Sequence, residues 1–217
     1  MLLFGSDLTP PMMIGILIAV LVGMTVHEFA HNYVAYLMGD PTPAREGRLT
    51  LNPAVHIYWP GFIMFMLIGF GILGTAPVNY RRMRNPRWGY LAAVAAGPFS
   101  NLLIAIVFGI VWRVLYDYPI GFYLNAPAIQ VILFAMIFFN VLLFVFNLLP
   151  LYPLDGWTIV LTLLPAELAY TWRNHAQTTQ IIFLALIMLS FVPSLGFNPL
   201  GWIINAPIDV ILRVLGG

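Results

Sequence analysis

The residues best suited to chemistry stand together near the start of the chain, as His27-Glu28-Phe29-Ala30-His31. In a helix of 3.6 residues per turn, His27 and His31 lie on one face, one turn apart, where two imidazoles can bind one zinc ion. Glu28 is rotated by about 100° from His27, so its carboxylate can reach a water molecule beside the metal. The alternative is polar packing inside a helical bundle. Burying two imidazoles and a carboxylate within five residues of an apolar helix is costly, which favours a metal site.

A catalytic zinc ion usually has three protein ligands, and Asp155 is the best candidate for the third. It ends the string Asn147-Leu-Leu-Pro-Leu-Tyr-Pro-Leu-Asp155, in which two prolines interrupt an apolar helix. Irregular backbone at membrane depth is tolerated only where protein or a cavity surrounds it. Asp155 could instead serve as the N-cap of a helix over 157–164, a role compatible with metal binding. Solvated charge explains the acids in or beside polar loops or at chain ends: Glu46, Asp117, Glu167 and Asp209.

The strings HEFAH and NLLPLYPLDG, on two different apolar segments, together resemble the site-2 protease family of intramembrane zinc metalloproteases. Similarity to the compact prokaryotic branch, which lacks PDZ and CBS modules, extends to Arg48-Leu-Thr-Leu-Asn-Pro-x-x-His56, Pro77-Val-Asn79 and Gly97-Pro-x-x-Asn101. The resemblance covers roughly residues 20–160. It implies a zinc ion held by His27, His31 and Asp155, one per chain. It also implies Glu28 as the catalytic base and Asn147 in contact with the substrate or the oxyanion.

His56 and Asn101 each allow two interpretations. His56 either lines the active-site entrance and helps to place the substrate, or it orders its own loop through a hydrogen bond. Asn101 either contributes to substrate or oxyanion binding, or it bonds to a neighbouring helix. After His56 the family pattern has an aspartate and a proline, whereas this chain has Ile-Tyr-Trp-Pro, so no shared role is carried over for Tyr58.

The composition indicates that these residues are positioned inside a membrane. Of the 217 residues, 61% are hydrophobic and only 8% are charged, whereas soluble domains carry about 25% charged residues. Because these few charges cannot cover a surface in water, most of the surface must face lipid. The net charge of +1 gives no case for a nucleic-acid partner, and the absence of cysteine excludes disulfides and thiolate ligands. The length suits a single membrane-embedded domain over residues 1–217.

The apolar segments predict an all-α polytopic membrane protein with about five transmembrane helices. A spanning helix needs about 20 apolar residues, and the candidates are 12–38, 89–115, 127–149, 178–195 and 199–215. Residues 61–74 are apolar but too few to span, which favours a re-entrant segment, and a small β-hairpin or sheet is a further possibility near residues 45–80. Residues 165–177 are predicted to be a polar loop.

The placement of arginine predicts the orientation in the membrane. Cytoplasmic loops collect Lys and Arg. If 61–74 is re-entrant, Arg45 and Arg48 lie on the same side as the four arginines of 75–88, and the 116–126 loop lies outside. We therefore expect a multi-pass protein of a prokaryotic plasma or inner membrane, in contact with the lipid bilayer, with its active site toward the cytoplasm.

The predicted function is hydrolysis of peptide bonds in or near the transmembrane segments of membrane protein or peptide substrates. The alternative is a non-proteolytic membrane protein that keeps zinc for structure or regulation. The intact Glu28 argues against it, because a structural zinc site needs no base. A metal transporter is a weaker alternative, since the ionisable residues converge on one site instead of following several helices. The sequence does not identify the substrate or the oligomeric state.

Overall fold

The computed structural model describes residues 9–69, 71–117, 127–192 and 198–216. Within these ranges the chain forms ten α-helices and one 3₁₀ turn. The helices are α1 (Pro10–Leu37), α2 (Thr42–Arg45), α3 (Pro53–His56), α4 (Trp59–Ile68), α5 (Pro86–Asp117), α6 (Pro127–Asn147), α7 (Asp155–Leu163), α8 (Ala166–Asn174), α9 (Ala176–Ser190) and α10 (Pro199–Gly216), and the 3₁₀ turn is Tyr80–Arg82.

Three of the described helices, α1, α5 and α6, are long and apolar enough to cross a membrane. The shortest of them, α6, has 21 residues, which at 1.5 Å per residue is about 32 Å and matches a hydrocarbon core of about 30 Å. The spans predicted at 12–38, 89–115 and 127–149 therefore agree with these helices to within about three residues. The three helices pack against one another in all pairs and form the frame of the fold.

The predicted end of the first span, at residue 38, is confirmed to within one residue, because α1 ends at Leu37. Gly39 has a φ of +104°, a left-handed conformation that glycine adopts without strain. The next residue, Asp40, is fully buried. Its Oδ1 accepts hydrogen bonds from the backbone N–H and the hydroxyl of Thr42 at 3.0 and 2.6 Å. The turn that ends α1 is thus fixed by a buried carboxylate.

Residues 57–74 project from the frame of the three long helices and then turn back, so that the last of these residues lies beside the first. Helix α4 ends at Gly69, which has a φ of +83°. The returning chain then forms an isolated antiparallel bridge between Gly74 and Ile57. A Cβ on Gly61 would lie 1.8 Å from the carbonyl oxygen of Ile72, so glycine lets the helix and the returning chain touch through their backbones. This geometry supports a re-entrant segment. In the described part of 45–80 we find this bridge and no sheet, so the β-hairpin stays a prediction.

The chain after this excursion also returns to the end of α1. The backbone N–H of Asn79 donates to the Asp40 carboxylate at 2.6 Å, and that of Arg84 donates to the Met38 carbonyl at 2.9 Å. The start of α5 therefore lies beside the end of α1, and the two helices are antiparallel. A common site for residues of α1 and of the later helices requires this arrangement.

The C-terminal part differs from the sequence prediction in one segment. The prediction of a polar loop at 165–177 was wrong, because residues 166–174 form α8. Glu167 lies in its first turn and Arg173 in its last, where each charge complements the helix dipole. Helix α9 has 15 residues, and α10 contains Pro207, Asp209 and Arg213. The count of five spans therefore stays a prediction, and most of the 116–126 loop lies outside the described residues.

The outer faces of the long helices are apolar and exposed, as contact with lipid requires. Large apolar side chains with more than a third of their surface exposed include Leu17, Ile18, Val22, Leu103, Val107 and Ile110. Between the helices, the small or apolar side chains of Ala19, Val20, Ala105 and Val141 are fully buried. A surface of this kind is stable in a bilayer and not in water.

We predict that residues 48 and 84 lie on the same side of the membrane, because 57–74 turns back on itself. The single variants Arg48→Cys and Arg84→Cys of this cysteine-free chain should be labelled by a membrane-impermeant thiol reagent from the same face. Thr9→Cys, just before α1, is the matched control and should be labelled from the opposite face. Labelling of positions 48 and 84 from opposite faces would contradict the re-entrant geometry.

Candidate metal centre

Helix α1 brings two imidazoles together in the middle of the bundle. His27 and His31 are both buried, with 3% and 6% of their surface exposed. Their rings are perpendicular with centroids 4.5 Å apart, and their Nε2 atoms lie 3.0 Å from each other. The spacing of four residues thus produces the shared face that the sequence predicts.

Asp155 reaches the same point from α7. After α6 ends at Asn147, the chain turns through Pro150 and Pro153, and Asp155 is the first residue of the next helix. A Cβ on Gly156 would lie 2.2 Å from the carbonyl oxygen of Leu148, so this turn requires glycine. The N-cap is Leu154, and no side chain caps this helix. The carboxylate is therefore not used as a helix cap, and its Oδ2 lies 3.2 Å from the Nε2 atoms of both His27 and His31.

The three atoms fit a tetrahedral zinc site. Their separations are 3.0, 3.2 and 3.2 Å. Zinc bonds to nitrogen and oxygen of about 2.0–2.1 Å in a tetrahedron place the ligand atoms about 3.3 Å apart. His27, His31 and Asp155 can therefore hold one metal ion.

The hydrogen bonds behind the imidazoles orient them for metal binding. His31 Nδ1 lies 2.8 Å from the Ala93 carbonyl oxygen, which can only accept, so Nδ1 carries the proton. His27 Nδ1 lies 2.7 Å from Asn101 Oδ1 and donates to it. In neutral imidazoles, both Nε2 lone pairs then point at Asp155 Oδ2, which has no hydrogen-bond donor. Three acceptors at such short range repel one another, and a metal cation bound between them would remove that repulsion.

Asn101 is fully buried behind His27 and does not line the cavity. Its Nδ2 donates to the Gly23 carbonyl and to Asn140 Oδ1, both at 3.0 Å, so its amide orientation is fixed. This placement favours the second interpretation of Asn101, a bond to a neighbouring helix. Asn140, whose Nδ2 donates to the Met136 carbonyl at 2.8 Å, extends this network onto α6.

One face of α5 supports both imidazoles. Ala93, Gly97 and Asn101 recur every four residues and so lie on a single stripe. Ala93 and Asn101 accept the two Nδ1 protons, and Gly97 lies between them. A Cβ on Gly97 would be 2.3 Å from Nε2 of His31 and 2.8 Å from Nε2 of His27. Only glycine therefore leaves room for the rings and a metal ion beside this helix.

Glu28 is buried on the cavity side of α1, with 4% of its surface exposed. Its Oε2 has no hydrogen-bond partner among the described residues. A Cβ on Gly74 would lie 2.7 Å from its Oε1, so the carboxylate packs directly against the returning chain of the 57–74 segment. A buried carboxylate oxygen without a donor is costly, and Oε2 of Glu28 is such an oxygen beside the candidate metal site, free to accept a proton.

A cavity of about 480 Å³ adjoins these residues, a size typical of ligand sites. Its wall contains His27, Glu28, His31 and Asp155, and also Asn147. The Nδ2 of Asn147 donates to the Leu143 carbonyl at 3.0 Å. Further lining comes from the non-helical chain 71–76 and from side chains of α5, α7 and α9, among them Tyr90, Thr158 and Gln180.

His56 lies outside this cavity wall. It is 2% exposed, and its Nε2 donates to the Thr50 carbonyl oxygen at 2.6 Å. This placement favours the second interpretation of His56, ordering of its own loop. Asn52 assists by capping the short helix α3 through a 3.0 Å bond from the Ala54 N–H.

Four contributors to the site were given no role in the sequence analysis: the carbonyl of Ala93, the missing side chains of Gly74 and Gly97, and Asn140. Gly97 was named there only as part of a motif. Carbonyl groups and absent side chains leave no chemical signature in a sequence. Asn140 did leave a signal, because an amide stands alone among apolar residues in the middle of α6, and such residues find a partner on a facing helix.

We predict that Gly97→Ala abolishes tight zinc binding while the bundle still forms, because the new methyl group must displace the histidine rings. Zinc content measured after purification should fall to a small fraction of the wild-type value. Gly109→Ala on the same helix is the control, since its Cβ would meet Leu215 at 3.2 Å, a contact that a small shift relieves. Full zinc occupancy in Gly97→Ala would contradict the proposed packing.

Comparisons with known proteins agree with this centre. No family model and no solved structure matches the chain. The chain is 36% identical over 200 residues to "Putative zinc metalloprotease YwhC" of Bacillus subtilis, covering 92% of this chain and 90% of that protein. It is 29% identical to "Putative zinc metalloprotease Rip2" of Mycobacterium tuberculosis over 92% of this chain and 75% of that protein, and 27% identical to the Rip2 of Mycolicibacterium smegmatis over 88% and 74%. With HExxH and Asp155 meeting at one point, the chain belongs to the site-2 protease family of zinc metalloproteases.

Proposed function

We propose that the protein is an intramembrane zinc metalloendopeptidase that hydrolyses peptide bonds in or near the transmembrane segments of membrane proteins. The observation that carries this proposal is the pairing of two features in one cavity. Three acceptor atoms converge as a metal site, and Oε2 of Glu28, which has no partner among the described residues, lines the same cavity. A structural zinc site has no use for a buried carboxylate oxygen that is free to accept a proton, so this pairing favours catalysis over a structural or regulatory zinc site.

Each side chain has a distinct role in this mechanism. His27, His31 and Asp155 hold the metal, and zinc, when bound, supplies a Lewis acid that activates water and polarises the scissile carbonyl. Glu28 Oε2 accepts a proton from the attacking water and later passes it to the leaving amine. Asn147, in the cavity wall, is the candidate donor to the oxygen that becomes negative in the transition state. The apolar lining from α6 and α9 keeps bulk water away from the reaction.

The surroundings of the cavity suit an extended substrate. Amides within a transmembrane helix are occupied by hydrogen bonds, so a substrate must unwind before its carbonyl can be attacked. The chain 71–76 is non-helical, lines the cavity and contacts Glu28, so it can offer backbone partners to an unwound peptide, as strand addition does. We therefore propose a membrane protein or peptide as substrate, the lipid bilayer as surroundings, and access from the cytoplasmic side of a cell membrane.

We predict that Glu28→Gln abolishes proteolysis and retains zinc, because the amide keeps the shape of the side chain and cannot accept the proton. Turnover of a panel of single-pass membrane substrates should fall at least about 100-fold, the lower range expected for loss of a general base. Zinc content should stay near that of the wild type.

The exposed residue Glu167 on α8 provides a matched control. Glu167→Gln makes the same chemical change far from the cavity and should leave turnover and zinc content unchanged. Substantial turnover by Glu28→Gln would refute the role of Glu28. If the wild type binds zinc but cleaves none of the substrates, whether or not zinc is added to the assay, the result would support the non-proteolytic alternative.

A further inference from the structure

The guanidinium of Arg87, in the first turn of α5, reaches across to the far end of α7. Its Nε donates to the Thr162 carbonyl oxygen at 2.9 Å, and its terminal nitrogen donates to those of Leu163 and Leu164 at 3.0 and 3.2 Å. Three successive carbonyl groups at one helix end are thus held by one side chain.

The C-terminus of a helix needs such a partner. Its last four carbonyl groups lack intrahelical donors, and the helix dipole places partial negative charge there. Helix α7 has no basic residue in its own last turn. Arg87 supplies both the donors and the positive charge, and the planar fork of its guanidinium suits several acceptors at once.

This contact bears on the metal site because of what the two helices carry. Helix α5 fixes the imidazoles through Ala93, Gly97 and Asn101, while α7 begins with Asp155. Helix α7 has nine residues, about 13 Å of rigid rod with the ligand at one end and Arg87 at the other. A tilt or slide of α7 on α5 would therefore move the carboxylate away from the imidazoles.

We propose that Arg87 is a positioning residue for the third metal ligand. It holds α7 in register on α5, so that Asp155 Oδ2 stays within 3.2 Å of both Nε2 atoms. The indole of Trp172 on α8 donates to the Trp157 carbonyl at 3.2 Å and holds the near end of α7 from another direction. This inference rests on the zinc site of the proposed function.

Another arginine offers a matched comparison. Arg113, near the other end of α5, also donates to a carbonyl at the end of a helix, that of Val214 in α10. Helix α10 contributes nothing to the described lining of the cavity. Removal of Arg113 thus deletes the same kind of bond from the same helix without touching the helix that carries Asp155.

The test measures the dissociation constant of zinc by competition with a chelator, for full-length wild type, Arg87→Gln, Arg87→Lys and Arg113→Gln. Loss of an interaction that orients a metal ligand typically costs 10–100-fold in metal affinity, so Arg87→Gln should weaken zinc binding by about 10-fold or more. Arg87→Lys should recover part of the loss, because an ammonium keeps the charge but not the fork. Arg113→Gln should stay within about two-fold of wild type, as is usual for a surface substitution.

A double-mutant cycle separates positioning from general destabilisation. If Arg87 acts through Asp155, Arg87→Gln adds no further loss of zinc affinity in an Asp155→Ala background. Equal effects in both backgrounds, or wild-type affinity in Arg87→Gln, would overturn the positioning role and leave the zinc site intact. A wild-type protein that binds no zinc would overturn the zinc site and, with it, this inference.

Discussion

Three hydrogen-bond acceptors from two helices meet within 3.2 Å of one another inside an apolar bundle. Two are imidazole lone pairs, fixed in direction because Ala93 and Asn101 accept the protons on the opposite ring nitrogens, and the third is a carboxylate oxygen. In a medium of low dielectric such an arrangement is repulsive unless a cation lies among the acceptors. Much of the rest of the fold can be understood as the means of holding this cluster together.

The helix α5 is the template on which the cluster is assembled. Its stripe of Ala93, Gly97 and Asn101 faces the stripe of Gly23, His27 and His31 on α1, and both stripes repeat every four residues. Small residues let the two backbones approach closely, which is the usual means of helix packing in membranes, where lipid weakens the hydrophobic drive. The same helix then reaches α7 through Arg87. Helix α5 thereby fixes the position of Asp155 relative to the two histidines, although Asp155 lies 124 or more residues after them in the chain.

The return of the chain between residues 40 and 84 is the topological condition for the site. Bonds from Asn79 to Asp40 and from Arg84 to Met38 bring the start of α5 back to the end of α1. An odd number of crossings would leave Asp155 and His31 near opposite faces of a hydrocarbon core about 30 Å thick. The glycines at 61 and 74 make the return compact, and Gly74 also brings the returning chain against Glu28.

The sequence was most informative where chemistry and spacing coincide. The HExxH string, the helix stop at Gly39 and the proline-broken turn before Asp155 each have a local physical cause, and the long helices follow from apolar length. Asn101 and His56 were harder to assign, because a buried amide or imidazole has the same signature whether it faces a substrate or a neighbouring helix. Residues 165–177 were judged by polarity, although Glu167 and Arg173 at the two ends favour a helix. Gly97 and the Ala93 carbonyl act through space and backbone, which no pattern of side chains reports.

The most direct test of the central claim is X-ray absorption at the zinc edge, on the purified zinc-loaded protein and on Asp155→Ala. The wild type should show two imidazole nitrogens and one carboxylate oxygen from the protein at about 2.0–2.1 Å. In Asp155→Ala the two imidazoles should remain and the carboxylate contribution should disappear. A wild-type zinc shell with fewer than two imidazoles, or one that Asp155→Ala leaves unchanged, would contradict the account.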